Sequence, residues 1–291
     1  MAMTQDTPVS LPGTAAHVLR IPKRDESVRL EISMPEAYGH TETRYPAVYL
    51  LDGHWYFSAL ASMVRLLERA QELPPLLVVG IGYEPLGGSP EEEYNRCLRL
   101  RCRDLTPTRG EDDWWRRAGA SEPIAPGIDT GHGREYLQLI EDHVKPWVRE
   151  HYRVDVGDET LAGHSLGGLC VLDVLFRSPG RYGRYLASSP SLWWDHEVIF
   201  DIERDYAGAH SAPKKDLFLC VGALEEEGPV AVSRMVSNVE RLAQRLRTQH
   251  YPSLNWRTRI LDEETHVTGV PRALVQGLKF LFTPRAERSD S

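Results

Sequence analysis

A serine between two glycines stands near the middle of the chain, in residues 163–167 (GHSLG). The pattern G-x-S-x-G is typical of a nucleophilic serine on a sharp turn between a strand and a helix. Residues 160–162 favour a short strand before it, and residues 165–177 favour a helix after it. Because glycine lacks the Cβ atom that would clash in such a turn, the pattern predicts Ser165 as a nucleophile. A tight turn in a non-catalytic α/β protein is the alternative.

A serine nucleophile needs a general base, and four histidines follow Ser165. His266 comes after the last predicted strand, residues 256–261, and before the last predicted helix. The chain order serine, acid, histidine puts the base there, so we predict His266 as the base. The other three histidines come too early in the chain or end a polar helix; they are His196, His210 and His250.

The base in turn needs a carboxylate that orients its ring. Three consecutive glutamates, Glu225, Glu226 and Glu227, follow the predicted strand at residues 217–221. Adjacent side chains in an extended segment point in different directions, so only one of the three can face His266. We predict Glu225 as this acid, with a solvated acidic turn as the alternative.

An oxyanion hole needs backbone N–H groups beside the nucleophile. The helix that begins after Ser165 offers the N–H of Leu166, and the turn after the apolar strand Tyr45–Leu51 offers the N–H of His54. We predict these two groups as the oxyanion donors. The side chains of His54 and His164 are further candidates for lining the substrate pocket.

Alternating arginines in residues 95–104 (NRCLRLRCRD) suggest a site for a negatively charged substrate. In an extended strand, Arg99, Arg101 and Arg103 would line one face. Such a row could bind an anion in an otherwise acidic chain, so we predict Arg101 and Arg103 as substrate contacts. The alternative is an edge strand whose arginines pair with carboxylates.

Two tryptophans, Trp193 and Trp194, follow the predicted strand at residues 185–189. We predict them as an aromatic wall of the substrate pocket. The alternative is that one of them packs into the core.

These residues must be held by a sheet, and the apolar runs indicate one. Tyr45–Leu51 and residues 76–83 are almost continuously apolar, as central strands are when both faces of a sheet are covered. Residues 55–72 between them have helical spacing, so strand, helix and strand predict a parallel pairing. We expect an α/β fold in one domain, residues 1–291, with a mostly parallel sheet and helices on both faces. Residues 106–133 have no period and are expected to form an irregular lid or binding loop.

Composition narrows the class of protein. The 291 residues carry a net charge of -8, which disfavours nonspecific binding to nucleic acid. No apolar stretch is long enough to span a bilayer, and the first residues lack the basic and apolar regions of a signal peptide, so we expect a cytoplasmic protein without membrane partners. The four cysteines have no zinc-ligand spacing.

Several segments together carry a family resemblance. The chain resembles the esterase-D-like family of α/β hydrolases and, within it, the esterases that open ferri-bacillibactin, enterobactin or salmochelin. The segments that carry the resemblance run in the family's order; they are residues 50–53 (LLDG), 103–107 (RDLTP), 163–168 (GHSLGG), 189–194 (SPSLWW), 222–225 (GALE) and 264–266 (ETH).

The resemblance implies an α/β-hydrolase fold and a serine esterase that cleaves ester or lactone bonds of a siderophore without a metal or organic cofactor. It also implies catalytic roles for Ser165, His266 and Glu225. An acyltransferase, an esterase for an acyl sugar, feruloyl or xenobiotic ester, and a non-catalytic binding module are the alternatives.

Overall fold

Eight strands form one mixed sheet in the computed structural model, which describes residues 10–22, 26–111, 113–118, 127, 129–207, 214–249 and 251–284. The strands are β1 (Thr14–Arg20), β2 (Ser27–Ser33), β3 (Tyr45–Leu51), β4 (Leu77–Tyr83), β5 (Val154–His164), β6 (Arg184–Ser188), β7 (Lys215–Gly222) and β8 (Leu254–Leu261). Their order across the sheet is β1-β2-β4-β3-β5-β6-β7-β8. β2 runs antiparallel to both of its neighbours, β1 and β4, and all the other pairs of neighbouring strands are parallel. The carboxyl ends of the six parallel strands therefore lie along one edge.

Helices connect the strands on both faces of the sheet. They are α1 (Gly53–Arg69), α2 (Pro90–Asp104), α3 (Trp114–Arg117), α4 (Gly133–Leu139), α5 (Lys145–His151), α6 (Leu166–Arg177), α7 (Trp194–Glu197), α8 (Ile199–Ala207), α9 (Met235–Gln249) and α10 (Gly269–Phe282). A π-helical turn, Ile140–Val144, joins α4 to α5. Short 3-10 turns lie at Glu36–His40, Ala223–Glu226 and Gly228–Ser233. Among the described helices, none is long and apolar enough to cross a membrane.

The alternation of side chains along each strand divides the core into two layers. On one face, Val48 and Leu50 of β3 pack with Phe57 of α1 and Leu274 of α10. On the other face, Tyr49 and Leu51 belong to a larger apolar cluster that includes side chains of α4, α6, α8 and α9. This arrangement confirms the predicted α/β fold with a mostly parallel sheet covered on both sides.

The predicted extended strand at residues 95–104 is wrong, because this segment belongs to the helix α2. Ser89 caps the helix: its hydroxyl accepts the N–H of Glu92 at 3.2 Å, and its own N–H donates to the Glu92 carboxylate at 2.7 Å. Pro90 occupies the first helical position, where its missing N–H costs nothing. At about 100° per residue, Arg99 and Arg103 lie only about 40° apart around the helix axis, whereas Arg101 points about 160° away from both. Arg99, Arg101 and Arg103 therefore do not form a row.

Hydrogen bonds close the base of the irregular segment 106–133 in its described parts. The Thr106 hydroxyl donates to the carbonyl of Cys102 at 2.7 Å and accepts the N–H of Gly131 at 2.8 Å. The N–H of Gly110 donates to the Thr130 hydroxyl at 2.9 Å. Residues 112, 119–126 and 128 of the predicted lid lie outside the described residues, so the lid stays a prediction.

Candidate active site

The turn between β5 and α6 holds Ser165 in a conformation that non-glycine residues rarely adopt, with φ 61° and ψ -120°. Its N–H donates to the carbonyl of Ser188 at the end of β6, at 2.9 Å. Its carbonyl accepts the N–H of Leu169 at 3.0 Å and that of Ser191 at 3.1 Å. These bonds fix the turn from both sides, so the strained backbone is held by the sheet and by the helix.

Glycines allow this turn to close. A Cβ atom on Gly163 would overlap the backbone carbonyl of Gly167, and one on Gly168 would lie 2.8 Å from the carbonyl oxygen of Ser188. Real Cβ atoms do not approach a backbone oxygen so closely, so any other residue at either position would displace the turn. The glycine positions of the sequence pattern thus have a direct steric cause.

His266 and Glu225 are joined by a hydrogen bond. Nδ1 of His266 lies 2.6 Å from Oε2 of Glu225, and the carboxylate is buried while the imidazole side chain is 40% exposed. The other carboxylate oxygen, Oε1, accepts the N–H of Gly222 at 2.7 Å and the hydroxyl of Ser189 at 2.6 Å. Both oxygens are therefore occupied, and Nε2 is the ring nitrogen of His266 that is left for a proton transfer.

The two neighbours of Glu225 have different surroundings. Glu226 accepts the N–H and the hydroxyl of Ser237 at 2.6 and 2.5 Å, in the first turn of α9. Glu227 is exposed. The 3-10 turn Ala223–Glu226 at the end of β7 directs the three side chains apart, and only Glu225 points to His266.

His164, predicted to line the pocket, lies behind His266 instead. The residue is 2% exposed, and its ring centroid lies 4.4 Å from that of His266 and 5.6 Å from that of Tyr56. Nδ1 of His164 lies 3.0 Å from the Ser188 hydroxyl, and the ring makes a hydrogen bond to the backbone of His266. Burial lowers the pKa of His164 well below its ordinary value, and the nearby His266 lowers it further. The ring is therefore neutral, and it supports the loop that carries His266.

A cavity of about 460 Å³, the serine cavity, opens at this edge of the sheet. Its walls combine polar groups of the site with apolar side chains from the segments after β6, β7 and β8. They are Ala118, Ser165, Ser191, Trp193, Leu224, Glu225, Glu227, Val230, Ser233, Met235, Thr265, His266 and Val267. Ser165 and His266 thus face one space, and Oγ of Ser165 lies 3.4 Å from Oγ of Ser191.

The two predicted oxyanion donors lie at helix N-termini. Leu166 is the first residue of α6, and His54 is the second residue of α1. The first N–H groups of a helix have no partner within the helix, and the helix dipole favours negative charge there. Because β3 and β5 are adjacent strands, these two helices begin side by side at the same edge of the sheet.

Arg101 does not face the serine cavity. Its guanidinium donates two hydrogen bonds to Asp52, at 3.1 and 2.9 Å, and lies over the ring of Trp55. Both charged side chains are buried, with 7% of Arg101 and 1% of Asp52 exposed. Asp52 lies in the turn after β3, and its carboxylate approaches Gly167 in the first turn of α6. The predicted contact of Arg101 with substrate is replaced by an ion pair that fixes this turn.

Arg103 is also paired within the protein. It donates to Glu26 at 2.7 and 2.6 Å and to Asp104 at 2.9 and 3.0 Å. Arg103 is absent from the described lining of the serine cavity. The alternative that the sequence left open, arginines paired with carboxylates, describes both residues, although on a helix and not on a strand.

The two tryptophans have separate positions. Trp193 lines the serine cavity, as the predicted aromatic wall would. Trp194 is fully buried and donates from its indole nitrogen to the carbonyl of Thr108 at 3.1 Å. Trp114 packs against both, with ring centroids 6.4 Å from Trp193 and 5.2 Å from Trp194. The prediction is therefore wrong for Trp194, which anchors the segment after α2 to the core.

Sequence reasoning missed the serines that support the site. Ser188 contacts His164, Ser189 contacts Glu225, and Ser191 contacts Ser165. Their signal was the run of serines at the end of a predicted strand, at the edge of the sheet where Ser165 lies. Within the described ranges, no group of three or more metal-ligating side chains is arranged to hold an ion. Of the other histidines after Ser165, His196 contacts Glu111 on the surface, and His210 and His250 lie outside the described residues.

Known proteins share both the sequence and the architecture. The model of a family described as "Putative esterase" matches residues 103–266. The ferri-bacillibactin esterase of Bacillus subtilis (strain 168) is 26% identical over 283 residues, which cover 94% of this chain and 91% of that protein. A siderophore enterobactin esterase of Emericella nidulans is 30% identical over 80% of this chain and 76% of that protein. The structure of the siderophore hydrolase EstA from Aspergillus nidulans has a TM-score of 0.81 and 26% identity, and the match covers 96% of this chain and 98% of that one.

Proposed function

Since the chain belongs to the esterase family whose model matches residues 103–266, and is therefore an ester hydrolase, we propose that it cleaves ester bonds of a siderophore through an acyl-enzyme on Ser165. One observation carries the serine mechanism. The imidazole of His266 is held by the buried Glu225 at 2.6 Å, beside the cavity that also contains the strained turn of Ser165. A nucleophile, a base and a group that orients the base are what acyl transfer requires.

In this mechanism, Oγ of Ser165 attacks the carbonyl carbon of the ester, and its proton passes to Nε2 of His266. The carbonyl oxygen becomes negative and accepts hydrogen bonds from the N–H groups of Leu166 and His54. The tetrahedral intermediate expels the alcohol, which takes the proton from Nε2, and an acyl group stays on Ser165. Water then attacks in the same way and releases the acid. Glu225 keeps its charge and stabilises the imidazolium in both steps.

His164 and Ser188 act as positioning residues in this proposal. The hydrogen bond between the His164 ring and the backbone of His266 raises the pKa of His164, as a bond from a ring N–H to a carbonyl oxygen does. His164 therefore donates to the carbonyl of His266. Its Nδ1 then accepts the hydroxyl hydrogen of Ser188. This pair of bonds selects one tautomer of His164 and links β5 and β6 to the loop that carries the base.

The names of the relatives support the substrate class. Proteins that are similar over most of the chain are named esterases of ferri-bacillibactin, enterobactin and triacetylfusarinine C. Apolar side chains such as Trp193, Met235 and Val230 line the serine cavity, which suits an organic ester better than a small charged one. We therefore favour an iron-siderophore trilactone as the substrate.

Labelling with a fluorophosphonate tests the serine mechanism. We expect the wild-type protein to be labelled once, the Ser191→Ala variant to be labelled as well, and the Ser165→Ala variant to be unlabelled. Hydrolysis by Ser165→Ala should fall by about a thousandfold or more. Turnover by Ser165→Ala within about tenfold of the wild type would overturn the mechanism.

A hydrolysis screen tests the substrate. Trilactones, with and without iron, should be cleaved more efficiently than aryl acetates, feruloyl esters or acetylated sugars. Product analysis with added alcohols distinguishes water from another acyl acceptor. Preferential hydrolysis of a sugar ester, or transfer of the acyl group to an alcohol, would replace the siderophore proposal with that activity.

A further inference from the structure

A second cavity, of about 440 Å³, lies at the same edge of the sheet as the serine cavity. Four of its lining side chains are aromatic, and we call it the aromatic cavity after them: His54, Trp55, Tyr83 and Tyr94. None of these four lines the serine cavity. The aromatic cavity is therefore a separate concave surface that the mechanism above leaves without a role.

The four rings form a continuous wall. The ring centroid of His54 lies 4.7 Å from that of Trp55 and 5.5 Å from that of Tyr83. Trp55 and Tyr94 are 5.6 Å apart with an angle of 30° between their planes, and Tyr94 is 55% exposed. Flat rings at this spacing leave faces on which another aromatic ring stacks favourably.

His54 adds an unused polar group to this wall. Among the described residues, neither of its ring nitrogens has a hydrogen-bond partner. Burial lowers the pKa of His54, so the ring is neutral and offers one donor and one acceptor. Both nitrogens are themselves buried, so a hydroxyl group of a ligand reaches them only if the ring turns outward, and the gain from that turn is a partner for a costly unpaired group.

The sheet order places the aromatic cavity on one side of Ser165 and the serine cavity on the other. Tyr83 ends β4, His54 follows β3, and Ser165 follows β5, and these three strands are neighbours. At a strand spacing of about 5 Å, the end of β4 lies about 10 Å from Ser165. Apart from Ser165 itself and Ala118, the walls of the serine cavity come from the opposite side, from the segments after β6, β7 and β8. An ester carbonyl at Ser165 therefore has a cavity in each direction.

We propose that the aromatic cavity is a second substrate subsite, which binds a hydroxylated aromatic arm of the same molecule whose ester carbonyl lies at Ser165. The inference rests on the proposed function, since a cyclic triester presents several arms around the bond that is cleaved. One arm enters the serine cavity, and another stacks on the exposed ring of Tyr94, beside Trp55. The subsite thus selects siderophores with aromatic arms over those whose iron ligands are aliphatic.

The pair Tyr94→Ala and Tyr94→Phe tests the subsite, because the first variant removes the ring and the second keeps it. A cyclic triester with three dihydroxyphenyl arms and phenyl acetate serve as substrates on the same preparations. Loss of one aromatic contact should lower kcat/KM for the triester about five- to tenfold relative to phenyl acetate in Tyr94→Ala. Tyr94→Phe and Leu66→Ala, an exposed position farther along α1, should keep the wild-type ratio. A cyclic triester without aromatic groups should be insensitive to all three variants.

A binding measurement on a protein that cannot turn over substrate tests this inference independently of the proposed function. Dihydroxybenzamide should bind the Ser165→Ala protein, and Tyr94→Ala in that background should weaken it by a similar factor. If the wild-type enzyme cleaves phenyl acetate but no triester, the siderophore proposal is overturned, and dihydroxybenzamide binding still decides the subsite. The subsite is overturned if the triester is cleaved and Tyr94→Ala has the same ratio of kcat/KM values as Tyr94→Phe. It is also overturned if Tyr94→Ala does not change the affinity for dihydroxybenzamide.

Discussion

Nδ1 of His266 lies 2.6 Å from Oε2 of Glu225, while Oε1 of the same carboxylate accepts the N–H of Gly222 and the hydroxyl of Ser189. A glutamine at position 225 has one accepting oxygen, so its amide nitrogen must face either the imidazole or the Gly222 N–H. We predict that Glu225→Gln lowers kcat by about a hundredfold to ten-thousandfold, because His266 loses its preferred tautomer.

Glu226→Gln is the matched control for Glu225. It weakens the contact with Ser237 at the start of α9 and should change the melting temperature more than kcat. Steady-state kinetics and thermal melts of both variants check this. If Glu226→Gln loses more activity than Glu225→Gln, then Glu225 is not the acid of the site.

His164 should couple stability to pH. Burial keeps its pKa in the folded protein well below that of an unfolded histidine, which is about 6.5. The unfolded chain therefore binds more protons than the folded protein below this pH, and the free energy of unfolding falls as the pH drops further. Removing His164 should make the fall in the free energy of unfolding at acid pH less steep. Part of this acid limb of the stability curve will remain, because the pKa of His54 is lowered in the same direction. Melting temperatures measured from about pH 5 to 8 check the slope.

Two substitutions separate positioning by His164 from simple packing. His164→Gln keeps an amide donor for the carbonyl of His266, and His164→Leu does not. We expect the first to retain most of kcat and the second to lose about tenfold, which is the scale of one buried hydrogen bond. Both should have a shallower acid limb than the wild type. Equal rates for the two variants would show that the hydrogen bond does not position the base.

The ion pair of Arg101 and Asp52 should stabilise the fold without selecting substrates by charge. Arg101→Ala leaves the Asp52 carboxylate buried and unpaired, which should cost about 3–5 kcal/mol of the free energy of unfolding. Denaturant titration measures this loss, and the Asp52→Ala/Arg101→Ala double variant should lose less than the sum of the single variants. The kcat/KM values for neutral and anionic esters should fall together. A selective loss for the anionic ester would restore Arg101 as a substrate contact.

Gly163 should tolerate no side chain. An added Cβ atom would overlap the carbonyl of Gly167, and backbone atoms cannot move aside cheaply. Gly163→Ala should therefore abolish labelling of Ser165 by a fluorophosphonate or prevent folding, and circular dichroism separates the two. Gly180→Ala is the control, because nothing lies within 4 Å of a Cβ atom there. Full labelling of Gly163→Ala would show that the turn has more freedom than the structure indicates.

The central strands could be predicted because their physical signal is strong. Tyr45–Leu51 is an apolar run that is buried at nearly every position, and the strand β3 has the same bounds. β1 was missed because it lies at the edge of the sheet and alternates between half-buried and exposed residues, so its sequence carries little apolar pattern. The helix α2 was missed for another reason. Its arginines and apolar residues alternate like those of a strand, and the capping signal of Ser89 and Glu92 precedes the alternating residues 95–104.

The residues of the candidate site also differ in how far the sequence could predict their positions. Ser165 and His266 were named from local patterns and chain order, because a nucleophile on a turn requires particular neighbours. The burial of Arg101 against Asp52 joins two residues that are 49 positions apart in the chain, and no local pattern records such a contact. The separate positions of Trp193 and Trp194 depend on the carbonyl of Thr108, which is 86 positions from Trp194 in the chain.

The indoles of Trp114, Trp193 and Trp194 form a compact array in which the planes of Trp114 and Trp193 are only 12° apart. Indole transitions that are this close couple to one another and give rotatory strength in the near ultraviolet. Because Trp193 also faces the serine cavity, a ligand there perturbs one chromophore of a coupled set. We therefore expect the near-ultraviolet circular dichroism of the protein to change when a ligand occupies the cavity, which would report binding without a label or a coloured substrate.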